Sequence, residues 1–261
     1  MQPETSNAAV YDLIARLADN KYFLGRRYAE WCSAAPTLES GVAAAAMAQD
    51  ELGHARALYP LLRDLAPAGA NPDENDPDTR TRHVNLAALD APFTGWEDFV
   101  AANFLIDTAL TVIFEAATAS AFEPLAARSR KVLQEEHIHT VHGDGWVRRL
   151  ARGGAALRAA IERALLAPWN EVLCWFGPAG APGPLAEQRV LDATPDALRG
   201  RFLAHIGPTV AVLGLPLPLR RGGKAGVWAL TAELPWARWD AGTYRLAAAG
   251  ASVPAAAKGQ A

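Results

Sequence analysis

Apolar residues recur at steps of three and four along most of the chain. Val10, Leu13, Ile14, Leu17 and Leu24 fall on one face. They predict a helix that begins near Asn7 as N-cap and runs to about Cys32, with Pro36 ending it. A second helix is expected from about Leu38, through the alanine-rich stretch 42–48, to about Leu65, with Pro60 kinking it or ending it early. Residues 67–91 are rich in Pro, Asp and Asn and read as a long crossover loop. Thr94-x-x-Glu97 is a capping-box pattern that opens a third helix, through about Ser120. Pro124 sits at the first turn of a fourth, to about Leu150. Gly153-Gly154 breaks the chain, and a fifth helix follows over about 155–176 with Pro168 inside it. Thr194-Pro195-Asp196 caps another that ends near Leu213. No stretch shows the two-residue alternation of a strand. The pattern therefore predicts one all-α domain over 8–246, a four-helix bundle with additional C-terminal helices. The end, 247–261, is small and low in complexity and is expected to be disordered.

The two helices expected at 38–65 and 124–150 carry the same short motif. One reads Asp50-Glu51-x-x-His54, the other Glu135-Glu136-x-x-His139. Residues i and i+3 share a helix face, so each motif presents a carboxylate and an imidazole to one point. Two such pairs on facing helices supply half or more of a dinuclear carboxylate site. The acid before each motif glutamate, Asp50 or Glu135, is placed to accept the second N–H of the other motif's histidine. The competing reading is two solvated faces with buried, unliganded histidines.

A full site needs one more carboxylate from each of the remaining helices. Asp107 lies 29 positions before Glu136, inside the apolar run 104–114, where an unpaired carboxylate would be costly. Glu115, two turns on, is the weaker candidate. On the first helix the matching position, 30 before Glu51, is Lys21. A protonated lysine offers no lone pair, so Lys21 breaks the symmetry of the site. If it points inward, its ammonium sits among Glu51, Glu136 and Asp107; the alternative is a solvated lysine. Of His137 and His142, one is expected to be exposed and one to pack.

Composition narrows the function classes. The chain has 261 residues, 51% of them hydrophobic, and a net charge of −3. It can bury a sizeable core, and nucleic-acid binding has no electrostatic support. No stretch of 18 uncharged apolar residues is apparent; 202–219 comes closest. Residues 1–7 lack signal-peptide character, and only two cysteines occur, Cys32 and Cys174, which points to a reducing compartment. The expected location is cytoplasmic, with no membrane partner. Gly222-Gly223-Lys224 lacks the remainder of a phosphate loop. Trp228, Trp236 and Trp239 read as packing or interface anchors.

Several stretches together resemble a known family. They are Arg16-Leu17-Ala18-Asp19-Asn20, Glu30-Trp31-Cys32, Ala35-Pro36-Thr37-Leu38-Glu39, 48–56 around the first motif, and Arg221-Gly222-Gly223-Lys224-Ala225-Gly226. They resemble the C-type subunits of bacterial ring-1,2-phenylacetyl-CoA epoxidases, within a phenylacetic acid catabolic protein family that also holds the catalytic A-type paralogue. The resemblance implies a ferritin-like fold and an oligomeric complex with the A-type subunit in aerobic phenylacetate degradation. It also implies that the A-type subunit holds the di-iron site. In this chain Glu51, His54, Asp107, Glu136 and His139 match five of six ligand places, and Lys21 stands at the sixth. The cofactor is then iron, mono- or dinuclear, or none. A structural partner with a degraded metal site is the leading reading. A self-sufficient dimetal oxygenase and a non-enzymatic ferritin-like metal-binding protein are the alternatives. A structural partner must leave an apolar surface for the catalytic subunit, expected in part on the tryptophan segment after Gly214.

Overall fold

The structure, a computed structural model, describes residues 4–66, 71–180, 183–222 and 226–247. It is mostly helical. Helix α1 (Glu4–Ala29) and α2 (Leu38–Leu65) form an antiparallel hairpin joined by the turn at 30–37. Helix α1 is already running at Glu4, so Asn7 lies within it rather than at its cap. Thr37 caps α2 by accepting from the Ser40 N–H. Pro60 does not end α2: it lies on the exposed face, where water can serve the carbonyl it leaves unpaired. The two helices touch closely at Gly25, where an added Cβ would meet Leu52 Cγ at 2.9 Å and Glu51 Cβ at 3.0 Å.

The crossover arrives at α3 (Trp96–Ala116). Its cap is shifted by one residue from the expected box. Asp98, not Glu97, accepts from the Thr94 and Gly95 N–H groups. Asp98 lies on the side of the first turn that faces back to the entering chain. Residues Ala102–Asp107 form a π-helical stretch inside α3, a feature frequent at functional sites. By length and composition α3 passes as a membrane span. It is 94% buried in its most apolar window and serves here as the core helix. Helix α4 (Glu123–Ala151) returns antiparallel to α3, and the two hairpins pack face to face.

Helix α5 (Ala155–Trp175) covers α3 and α4, and α7 (Pro195–Leu213) covers the far half of α3; a single short turn of helix, α6 (Pro184–Glu187), lies between them. Thr194 and Gly214 cap α7, Gly214 at φ +60. The absence of strands is corrected. An antiparallel hairpin pairs β1 (Leu219–Gly222) with β2 (Val227–Leu230), and a shorter one pairs β3 (Trp239–Asp240) with β4 (Arg245–Leu246). Four and two residues are too few for an alternation to show in sequence. The tail expected to be disordered, apart from Ala247, and Gly223-Lys224 lie outside the described residues.

The tryptophans of this segment face inward. Trp239 is buried, Trp236 lies under the Arg199 guanidinium, and Trp228 packs on Gly207, where any Cβ would collide with its ring. These rings take the packing role of the two expected for them, and Val227 beside them is exposed. Leu38 and Val42 on α2, and Ile138 and Val141 on α4, are the exposed apolar side chains of the helical hairpins.

Candidate metal centre

Each of the four long helices delivers one charged group to a common buried point. Lys21 from α1, Glu51 from α2, Asp107 from α3 and Glu136 from α4 are all at most 1% exposed. An ammonium has three donors. Lys21 Nζ places one on each acid, at 2.8 Å to Glu51 Oε1, 2.8 Å to Asp107 Oδ1 and 2.6 Å to Glu136 Oε1.

The two histidines of the twin motifs differ. His139 Nδ1 lies 3.0 Å from Asp107 Oδ2 and 3.2 Å from Glu51 Oε1, and its Nε2 lies 3.3 Å from Asp50 Oδ2. Both ring nitrogens face carboxylates. Burial disfavours its charge, but Asp107, Glu51 and Glu136 outweigh burial and carry its pKa to about 11. His139 is an imidazolium. His54 Nε2 lies 2.7 Å from Glu135 Oε2, while its Nδ1 turns inward, 3.5 Å from Glu136 Oε1. Burial, then the nearby Lys21 charge, lowers its pKa to about 4, so it is neutral. The acids Asp50 and Glu135 each reach across to the other motif's histidine. His137 is exposed, and His142 packs with Nδ1 3.0 Å from Asn103.

Desolvation raises all three acids, and their neighbours then divide them. Lys21 and His139 together hold Asp107 well below the usual carboxylate range. Burial, reinforced by Asp107, takes Glu136 up to about 8. Burial lowers Lys21 too, but Asp107, Glu136 and Glu51 overcome it and hold the ammonium well above its ordinary value. With one proton on Glu136, the two remaining carboxylates balance Lys21 and His139, and the buried set is neutral.

Three further residues complete the network, and the sequence reading missed them. Thr111 Oγ1 lies 2.9 Å from Glu136 Oε2 and 3.0 Å from the Asp107 carbonyl. One hydroxyl proton cannot serve both. A protonated Glu136 donating to Thr111, which donates onward to the carbonyl, satisfies these three groups. Asn103 Nδ2 and Tyr28 Oη donate to Asp107 Oδ2 at 3.3 and 3.4 Å. Their signal was present: Asn103, Asp107 and Thr111 are the polar positions i−4, i and i+4 of an otherwise apolar face. Glu115 instead pairs with His205 near the surface.

Donor atoms of Glu51, Asp107, Glu136 and His139 lie within 4.8 Å of one another, close enough to share one cation. They do not fit a dinuclear centre. The point on which the three carboxylates converge is held by the Lys21 ammonium. α1 brings no carboxylate to it. Glu51 Oε2 and His54 Nδ1 are buried without a partner among the described residues, positions that a water or a single small cation would satisfy.

The family described as "Phenylacetic acid catabolic protein" matches residues 1–251. Among curated proteins, the C-type subunit of the 1,2-phenylacetyl-CoA epoxidase of Escherichia coli (strain K12) is 29% identical over 222 residues. The match covers 81% of this chain and 87% of that protein.

Proposed function

The chain belongs to the phenylacetic acid catabolic protein family, and from that membership we propose that it is a subunit of a phenylacetyl-CoA ring-epoxidising complex. In this reading it is the structural partner of a catalytic subunit, works in the cytoplasm, and has a ferritin-like bundle as its core. One observation carries the structural role: Lys21 Nζ occupies the convergence point of the acids at 2.6–2.8 Å. A cation that is part of the chain neutralises the buried carboxylates, so the fold needs no metal to be electrostatically closed.

The partner's contact face is assigned to the α2 and α4 surface. Leu38, Val42, Ile138 and Val141 are 59–82% exposed there, and Ala46, Gln49, Gly53 and Gly145 extend the strip beside the part-exposed Asp50 and Glu135. Obligate subunit interfaces are large and apolar, and this strip fits one. The site chemistry itself is confined to holding the charges, with no step of oxygen chemistry assigned to this chain.

Two measurements test the proposal. Elemental analysis of the chain purified alone should find iron far below one per chain; two tightly held irons would favour the self-sufficient oxygenase. Co-expression with the catalytic subunit should yield a stable complex. A chain that ignores that subunit would overturn the structural role.

A further inference from the structure

A second buried charge lies outside this centre, and among the described residues the counter-charge it feels, Asp12, does not reach it as an ion pair. Arg16 of α1 is 8% exposed. A guanidinium has five N–H donors. Among the described residues, Arg16 gives Nε to the Asp12 carbonyl at 3.3 Å and Nη1 to the Trp175 carbonyl at 3.4 Å. Both contacts are long, and no described carboxylate reaches ion-pair distance. The other polar residues of its motif are fully employed. Asp19 accepts from Tyr59, Arg80 and the Val84 N–H, and Asn20 accepts from the Leu86 N–H. Leaving an arginine desolvated with only two weak acceptors is costly unless something else completes it.

That something has room. Arg16 lines a cleft of about 290 Å³ whose walls include Leu13, Ile113, Trp175, Phe176 and Leu191. The guanidinium lies 4.2 Å from the ring centre of Tyr244 and 5.6 Å from that of Trp175. Tyr244 stands at φ +54, a left-handed conformation costly for a bulky residue. Its hairpin is tied down by the Arg245–Asp90 pair and by Arg82 donating to the Gly242 carbonyl. The aromatic wall is thus held in place against the arginine.

We propose that this cleft binds a small monocarboxylate with an apolar, single-ring-sized body. The planar guanidinium matches a carboxylate with two parallel hydrogen bonds. The apolar walls give a bare inorganic anion nothing to touch beyond Arg16, and the volume suits one ring rather than a nucleotide. Asp12, exposed at the rim, disfavours a second negative charge on the ligand. The inference is independent of the structural-partner reading.

The test uses the full chain, with benzoate as probe, benzamide as its neutral isostere and phosphate as the bare anion. Titration calorimetry and tryptophan fluorescence should show benzoate binding at one site per chain, at roughly millimolar affinity or tighter. Benzamide should bind at least about tenfold more weakly, since it loses the charge-assisted contact. Phosphate should not compete at similar concentration. Arg16→Gln should reduce benzoate to the benzamide level. Because that variant removes a buried contact of α1 and can fail to fold, Ala9→Trp serves as the second. It fills the mouth of the cleft, leaves Arg16 intact, and should abolish binding without lowering the melting temperature. Absence of benzoate binding, equal binding of benzamide, or unchanged affinity in both variants would overturn the proposal. So would binding only of a peptide through its free C-terminal carboxylate, which would give the cleft to a protein partner.

Discussion

Replacing Lys21 with methionine keeps the unbranched stem and removes the terminal ammonium with its charge. The structure then holds Glu51, Asp107 and Glu136 around one imidazolium, with three acceptor oxygens suddenly unpaired. Removing one partner from a buried ion cluster costs about 3–5 kcal/mol. For a domain of this size each kcal/mol moves the melting temperature by about 2–4 °C, so the fall should be roughly 6–20 °C. The pH dependence separates this cause from lost packing. Without Lys21 the carboxylates rise further and take up protons in the folded state, whereas the unfolded chain titrates them near 4.5. A group with a raised folded pKa contributes stability that is fully present below its unfolded pKa. That stability is lost as pH rises through the folded value. The deficit of Lys21→Met should therefore be small near about pH 5 and grow toward about pH 8.5. Calorimetric melting of both proteins across that range is the assay. An unchanged melting temperature, or a deficit that does not vary with pH, would refute the charge argument.

Lys21→Glu should destabilise the metal-free chain at least as much, but added Fe(II) or Mn(II) should recover its melting temperature, while leaving the unmodified chain unmoved. The unmodified protein should lose stability as pH rises from about 6.5, because His139 (folded pKa about 11) and Glu136 (about 8) both release protons that stabilise the folded state; a flat melting profile over this range counts against the assigned protonation. Asp19→Asn should cost about 3–5 kcal/mol, since Arg80 loses its buried counter-charge, and should speed proteolysis within the 71–95 crossover that Asp19 pins. Val42→Glu combined with Ile138→Glu should leave the melting temperature within about 1 °C of the unmodified chain yet abolish co-purification with a catalytic subunit; retained association would move the interface elsewhere.

How much of this was legible depended on the physical range of each signal. The helices follow from periodicity and caps, which are local, and most agree with the expected spans to within a few residues. The inward position of Lys21 could be reasoned because α1 and α2 form one hairpin. A constant 30-residue offset from Glu51 fixes which residue faces it. Thr111 and Asn103 were passed over because a hydroxyl or amide in an apolar run is ordinarily satisfied by its own helix, and Tyr28 because it follows two arginines and reads as a surface residue. Only the position of Asp107 shows that they converge. The cap at Asp98 rather than Glu97 turns on a single residue of helix phase, below what a pattern resolves. Whether the tryptophan segment packs inward or anchors an interface was left open for a different reason. Burial against α7 is a tertiary fact, and Trp228 packs where it does because position 207 happens to be glycine.

On the structural-partner reading, the centre raises the question of what a buried ion cluster is for. Burial of charge is a poor source of stability. Exchanging a whole cluster for well-packed apolar side chains is often neutral or favourable by about 1–4 kcal/mol, although breaking it at one member is costly. What the cluster supplies is register. Lys21 Nζ has three donors in a fixed tetrahedral arrangement, and each is matched to an acid on a different helix, α2, α3 and α4. A slip of one residue in any of those helices turns its acid by about 100° and strands both the acid and a donor in the core. A leucine at each position would tolerate the same slip with little change in contact. The α2 and α4 strip proposed to face a partner is carried by the same two helices whose motif glutamates Lys21 holds. A fixed register inside the bundle is therefore also a fixed spacing of Val42 against Ile138 on its surface. The two orphaned acceptors, Glu51 Oε2 and His54 Nδ1, show where the match is incomplete, on the side of the cluster nearest the neutral histidine. The charge set locks three helices to the first. It leaves one small polar gap, which is the place a water would be held.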